Sequence, residues 1–336
     1  MYLIRVLALP FCLSLPATLG AQTAVIRMPG KTVEVVGLKR WTVSMIQDSM
    51  AKYSPGDSLH SHACAAVLRY KLGFADAAAT SYRGIGDGEH VVVSVVEPQD
   101  SVRARFRPAP FDSAGTRREW SDALAVHARN RRAFHAAIHL YLPRQKSPRE
   151  PLPAELRADS ADLAQVWRFL ESHRSARDYE VARHTLLGDP NFGNRMLAAA
   201  LLANFPDRDP AWWALVEAMR EEDGIVKGVA ASILAGLAEH SPRRVDWEPV
   251  SPAIHAMLNG TSLFMLPTLL RVLPATGAGP HSAAPFLAGG GEMLLAYVGA
   301  EQPYVREEAR RFLAALSGVD HAYDANRWRR WIETLE

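Results

Sequence analysis

Three histidines offer the most direct route to chemistry in this chain of 336 residues. His135 and His139 stand four residues apart, a spacing that puts both imidazoles on one face of a helix, and His127 lies about two turns upstream of His135. Such a set can hold zinc. Yet in His135-Ala136-Ala137-Ile138-His139 an alanine stands where the general-base glutamate of a zinc hydrolase belongs, and no cysteine or downstream acid completes the ligands. Arg129, Arg131 and Arg132 add positive charge that repels a cation. A partly exposed helix face is the plainer reading, and no metal is expected there. The chain also lacks a G-x-S-x-G elbow, an H-E-x-x-H run, a phosphate-binding glycine loop and a cysteine pair. The expectation is a protein without a catalytic site or cofactor.

Composition narrows the partners. The formal net charge is +2, and removing Arg5 with the leader lowers it by one, which argues against nucleic acid. Only six of the 38 basic residues are lysine, so arginine clusters carry little weight. The stretch from Arg117 to Arg149 is locally basic and suits an anionic lipid surface or an acidic partner, although in so arginine-rich a chain a solvated face is the better reading.

Met1 to Ala21 has the layout of a secretory signal peptide: Arg5, an apolar run from Val6 to Leu15, and a small-residue exit. A cut after Ala21 or Gly20 leaves Cys64 as the one cysteine, so the fold must rest on a buried core instead of a disulfide. No later segment is long and apolar enough to cross a membrane; Ala283 to Ala300 contains Glu292 and three glycines. The expected location is the periplasm or the exterior.

The first folded unit is read over residues 31–107. Thr32 to Val36 is a β-branched strand ended by Gly37, and Thr42 N-caps a helix carrying Met45, Ile46 and Met50 up to Ser54-Pro55-Gly56-Asp57. A second helix starts at Ser58 or Ser61, with Ala63, Val67, Leu68 and Leu72 as its stripe, and stops at Gly73. Two strands follow, Ala75 to Tyr82 and His90 to Glu97, joined by a turn over Gly84 to Gly88. The order is β-α-α-β-β. These signals, above all Val33 to Gly37, Pro55-Gly56-Asp57, Leu72-Gly73-Phe74 and Val92 to Glu97, resemble the POTRA domain of outer-membrane assembly and secretion proteins. The membrane barrel that follows in that family has no counterpart here. The resemblance implies strand addition to an open sheet edge. That edge is placed on Ala75 to Tyr82, with Ala77, Ala79, Ser81 and Tyr82 as contact residues, and the alternative is a sheet that only orients the rest.

Residues 108–157 read as one long helix, Arg117 to Leu142, ending at Pro143 and followed by a proline-rich linker. Residues 158–336 repeat a pattern of turn, basic residue, small alanines and leucine, centred on Arg195, Lys227 and Arg306, with a degenerate copy at Leu263 to Pro274. The pattern resembles the bacterial HEAT family, which implies an α/α superhelix of stacked hairpins. Trp328 and Trp331 suit a cap on its last apolar face. Of Trp212 and Trp213, one ring is expected to pack and the other to face a partner. The fold expected is thus an α+β domain before an all-α solenoid. The leading functional expectation is an envelope scaffold or adaptor binding protein partners, including unfolded or extended envelope proteins. The alternatives are an envelope-biogenesis factor that handles client strands by β-augmentation, and a metal-dependent enzyme or sensor using His135 and His139.

Overall fold

A computed structural model describes residues 22–61, 63–83, 88–108, 110, 118–146, 151–222 and 224–336. Residues 1–21, read above as a leader, residues 84–87, read above as a turn, and residues 62, 109, 111–117, 147–150 and 223 lie outside the described residues.

Four strands form one mixed sheet: β1 (Gln22–Met28), β2 (Lys31–Leu38), β3 (Asp76–Arg83) and β4 (Glu89–Val96), in the spatial order β1-β2-β4-β3. β1 and β3 run antiparallel to their neighbours, and β2 lies parallel to β4. The three strands expected from the sequence are present nearly at their expected bounds. The addition is β1, so the order is β-β-α-α-β-β. Its origin is local: Thr23 to Met28 is β-rich, and Pro29-Gly30, with Gly30 at φ +69, turns the chain straight into β2. Gly37 does not end β2. It sits inside the strand at φ +99, where a Cβ would meet the Val95 carbonyl oxygen at 2.4 Å and Met293 Cε at 3.0 Å, so its place reflects close approach.

Both faces of this sheet are covered. On one face, α1 (Val43–Tyr53) and α2 (Cys64–Tyr70) pack Ile46, Met50, Val67 and Leu68 onto Val33, Val35, Ala77, Ala79, Val91 and Val93. The small alanines of β3 match the close approach of α2. Thr42 Oγ1 accepts from Met45 N and caps α1, as expected, while α2 starts later than Ser61, at Cys64. On the opposite face, Val36, Ala78, Val92 and Val96 join the core of the helical body.

That body comprises α3 (Ser121–Arg129), α4 (Arg131–Lys146), α5 (Ser160–Ser172), α6 (Ala176–Gly188), α7 (Phe192–Leu202), α8 (Asp209–Ala218), α9 (Gly224–His240), α10 (Ser251–Leu258), α11 (Leu266–Ala275), α12 (Ala283–Leu287), α13 (Glu292–Val298), α14 (Pro303–Ser317) and α15 (Ala325–Glu333). Helices α6, α8, α10 and α12 touch in succession, and so do α7, α9, α11 and α14. Arg195, Lys227 and Arg306 each occupy the fourth position of a helix in the second series. Arg195 is 2% exposed and donates back to the carbonyls of Asp189 and Pro190; Lys227 donates to the Glu222 carbonyl. No single helix among the described residues is long and apolar enough to cross a membrane.

The long helix expected from Arg117 to Leu142 is two helices. The side chain of Asn130 explains the break: its Oδ1 accepts from Ala133 N to start α4, and its Nδ2 donates to Asp159 and Asp162. The apolar period continues across the break, which hides it. The second helix also runs through Pro143 to Lys146 instead of stopping there.

Candidate functional site

The sheet meets the helical body through buried carboxylates. Glu34 on β2 is fully buried and accepts from the backbone N–H groups of Glu301 and Gln302, the residues leading into α14. His90 Nε2 reaches the same carboxylate at 3.1 Å. Asp76, at the start of β3, accepts from Leu263 N at 2.7 Å and pairs with Arg69 at 3.4 Å. Burial pushes its carboxyl above the usual aspartate value, and those two partners offset part of that. Glu97 takes up the N–H groups of Lys39, Arg40 and Trp41 and fixes the approach to α1. Buried on this interface, Tyr297 bonds Ser94 at 2.8 Å, and burial raises its phenol.

The two edge strands of the sheet are β3 and β1. Of the expected contact residues on β3, the side chains of Ala77 and Ala79 are buried beneath α2. Tyr82 is half-buried and stacks on Tyr304 at 6.2 Å, and burial pushes its phenol up to about 12. Ser81 hydrogen-bonds the Glu89 carboxylate, which Lys31 first and then Ser81 hold below its ordinary value. With Leu263 on Asp76 and Tyr304 on Tyr82, the helical body takes hold of β3 near both ends.

The opposite edge differs. The two-residue turn makes Met28 and Lys31 a hydrogen-bonded pair, so Ala24 and Ile26 also direct their backbone groups to β2. Thr23, Val25 and Arg27 then direct theirs away from the sheet. Among the described residues nothing takes up these N–H and C=O groups. The side chains of β1 are anchored nevertheless: Ala24, Ile26 and Met28 pack against the α1 and α2 face, and Arg27 pairs with Glu301 at 2.6 Å. β1 is therefore a held strand with an unpaired edge. Its signal lay in plain view as a β-rich run before Pro29-Gly30, but it directly follows the apolar stretch of Met1 to Ala21.

The other expected sites are not assembled. Trp212 is fully buried against Trp247, and Trp213 is half-buried with its indole N–H on the Asp246 carbonyl at 2.6 Å. His127 and His135 lie 6.2 Å apart between ring centroids, while His139 Nδ1 turns to Ser232 Oγ at 2.6 Å. No group of three His, Cys, Asp or Glu side chains among the described residues is placed to hold a metal ion. Burial, then the charge of Arg131, keeps His127 and His135 below the ordinary imidazole value.

One feature was not anticipated: a cleft of about 680 Å³ between Val102-Arg103, α10, the Gly289–Gly290 turn and α15. Its imidazole is committed. His255 Nδ1 lies 3.0 Å from the Phe286 carbonyl and must donate to it, leaving Nε2 to accept from Asn259, whose Oδ1 accepts from Gly291 N. No protein-family model, curated protein or solved structure matches the chain.

Proposed function

We propose that this chain is an exported, non-catalytic binding protein that holds an extended segment of a protein partner along the β1 edge, with the helical body as scaffold. The carrying observation is the row of outward N–H and C=O groups of Thr23, Val25 and Arg27. Strand addition satisfies such groups with little demand on the partner's sequence, and both covered faces of the sheet stiffen the template. The reading is supported by the POTRA-like succession β2-α1-α2-β3-β4, with β4 between β2 and β3. For the body, the two helix series and the recurring fourth-position cation support HEAT-type stacking. The leader-like composition of Met1 to Ala21 supports a periplasmic or secreted location.

The test uses a photo-crosslinking residue at Val25, and separately at Tyr82, in the native envelope. Adducts should form at Val25, map to extended segments of partner proteins, and disappear with Val25→Pro in a chain labelled at Thr23. That proline removes one outward N–H and leaves the β1–β2 ladder intact. Adducts at Tyr82 but not at Val25, or adducts indifferent to the proline, would refute the assignment.

A further inference from the structure

We infer that one partner of the β1 edge is the same edge of a second copy, paired antiparallel about a two-fold axis through Val25. The inference rests on β1 being a strand-addition site and names an occupant for it.

The argument is one of register. An antiparallel pair centred on Val25 sets Val25 against Val25, Thr23 against Arg27, and Ala24 against Ile26. The residues with outward backbone groups are Thr23, Val25 and Arg27, which are symmetric about Val25. Each outward N–H therefore meets an outward C=O, and none is wasted. Side-chain faces also agree, because Ala24 and Ile26 lie on the α1 side in both copies. Charge raises no objection: Arg27 is the one charged residue of β1, and its opposite is Thr23, not another arginine.

An unpaired edge is what monomeric proteins avoid, using charges, prolines or bulges along the strand. Between Thr23 and Met28, β1 has no proline or bulge, and its one charge, Arg27, is drawn to Glu301; its register irregularity falls at Gln22/Thr23 and Pro29 lies beyond its end. Self-pairing covers the edge and joins two sheets into one. It also makes dimerisation and capture of a foreign segment mutually exclusive, so protein concentration regulates access to β1.

The test uses the purified full chain without its leader. Sedimentation should show mass rising with concentration, and Val25→Pro should weaken the dimer at least tenfold. Cysteine placement reads the register directly, because Cys64, the remaining cysteine, is buried. Across the axis the two Val25 Cα atoms lie about 5.5 Å apart, whereas the two Thr23 Cα atoms lie roughly 14 Å apart at about 3.4 Å per residue. A short bis-maleimide crosslinker, adding one cysteine thiol at each end, should join Val25→Cys to itself, fail with Thr23→Cys alone, and join Thr23→Cys to Arg27→Cys in a mixture. A monomer at every concentration, or equal crosslinking of Thr23→Cys and Val25→Cys alone, overturns self-pairing. If that happens while Val25 photo-adducts to other proteins persist, strand addition stands without the dimer. Loss of both removes both.

Discussion

Replacing Glu34 by alanine tests whether the sheet and the helical body are one cooperative unit. The carboxylate is fully buried and accepts two backbone N–H groups at the start of α14, from Glu301 and Gln302. Hydrogen bonds to a charged group contribute about 1.5–3 kcal/mol each, and alanine leaves the buried Gln302 N–H, and the part-buried Glu301 N–H, without that acceptor. The carboxylate also sits where the helix dipole favours negative charge. Together these put the cost of Glu34→Ala at about 3–5 kcal/mol, a large share of the roughly 5–15 kcal/mol that holds a folded protein together. Glu34→Gln keeps one acceptor but turns an NH2 group toward the other donor, so it should cost about 1–3 kcal/mol. Denaturant unfolding followed by tryptophan fluorescence reads the loss, because the tryptophans of the helical body report the body and the substitution is in the sheet. Amide exchange at Glu301 and Gln302 supplies the local readout. A loss under about 1 kcal/mol for alanine, or unchanged exchange at those two amides, would show that Glu34 does not anchor the residues leading into α14.

Gly37→Ala should destabilise far more than Gly56→Ala in thermal melts. Both need positive φ, but a Cβ at Gly37 strikes the Val95 carbonyl while the space around Gly56 is open; equal losses would disprove the close approach. Trp212→Ala should cost about 3–5 kcal/mol as a core truncation, whereas Trp213→Phe, losing one indole hydrogen bond, should cost about 1 kcal/mol. Comparable unfolding midpoints for the two would contradict their different burial. His127 and His135 are held below the ordinary imidazole value, by burial first and then by Arg131. The unfolded chain thus gains protons first as pH drops below about 6.5. Stability should fall from there until the folded-state values are passed, then level off. His127→Gln with His135→Gln should flatten that part of the curve, and an unchanged slope in unfolding titrations would count against it.

Local signals were legible in the sequence and distant partners were not. Thr42 as a cap, the bounds of β3 and β4, and the turn at Gly56 follow from a few adjacent residues each, so pattern alone reaches them. Asn130 reverses that logic: its side chain breaks a helix that the apolar period carries straight through. Glu34 misleads in another way. Between Val33 and Val35 it reads as a solvent-facing position of a half-covered strand, yet its acceptors' donors come from residues more than 260 positions away. The β1 strand was missed because its β-rich run directly follows the apolar, leader-like stretch of Met1 to Ala21. The alanines of β3 are small because α2 packs on them.

The link from Glu34 to Gln302 has a kinetic consequence. A chain that emerges N-terminus first presents β2 long before α14 exists, so one side of the sheet must wait, with Val36 and Val92 uncovered, until nearly the last segment arrives. Contacts this far apart in sequence slow folding and prolong the exposure of sticky intermediates. Synthesis therefore leaves this fold dependent on the segment from about residue 297 onward, and truncations there should yield aggregates instead of shorter folded forms.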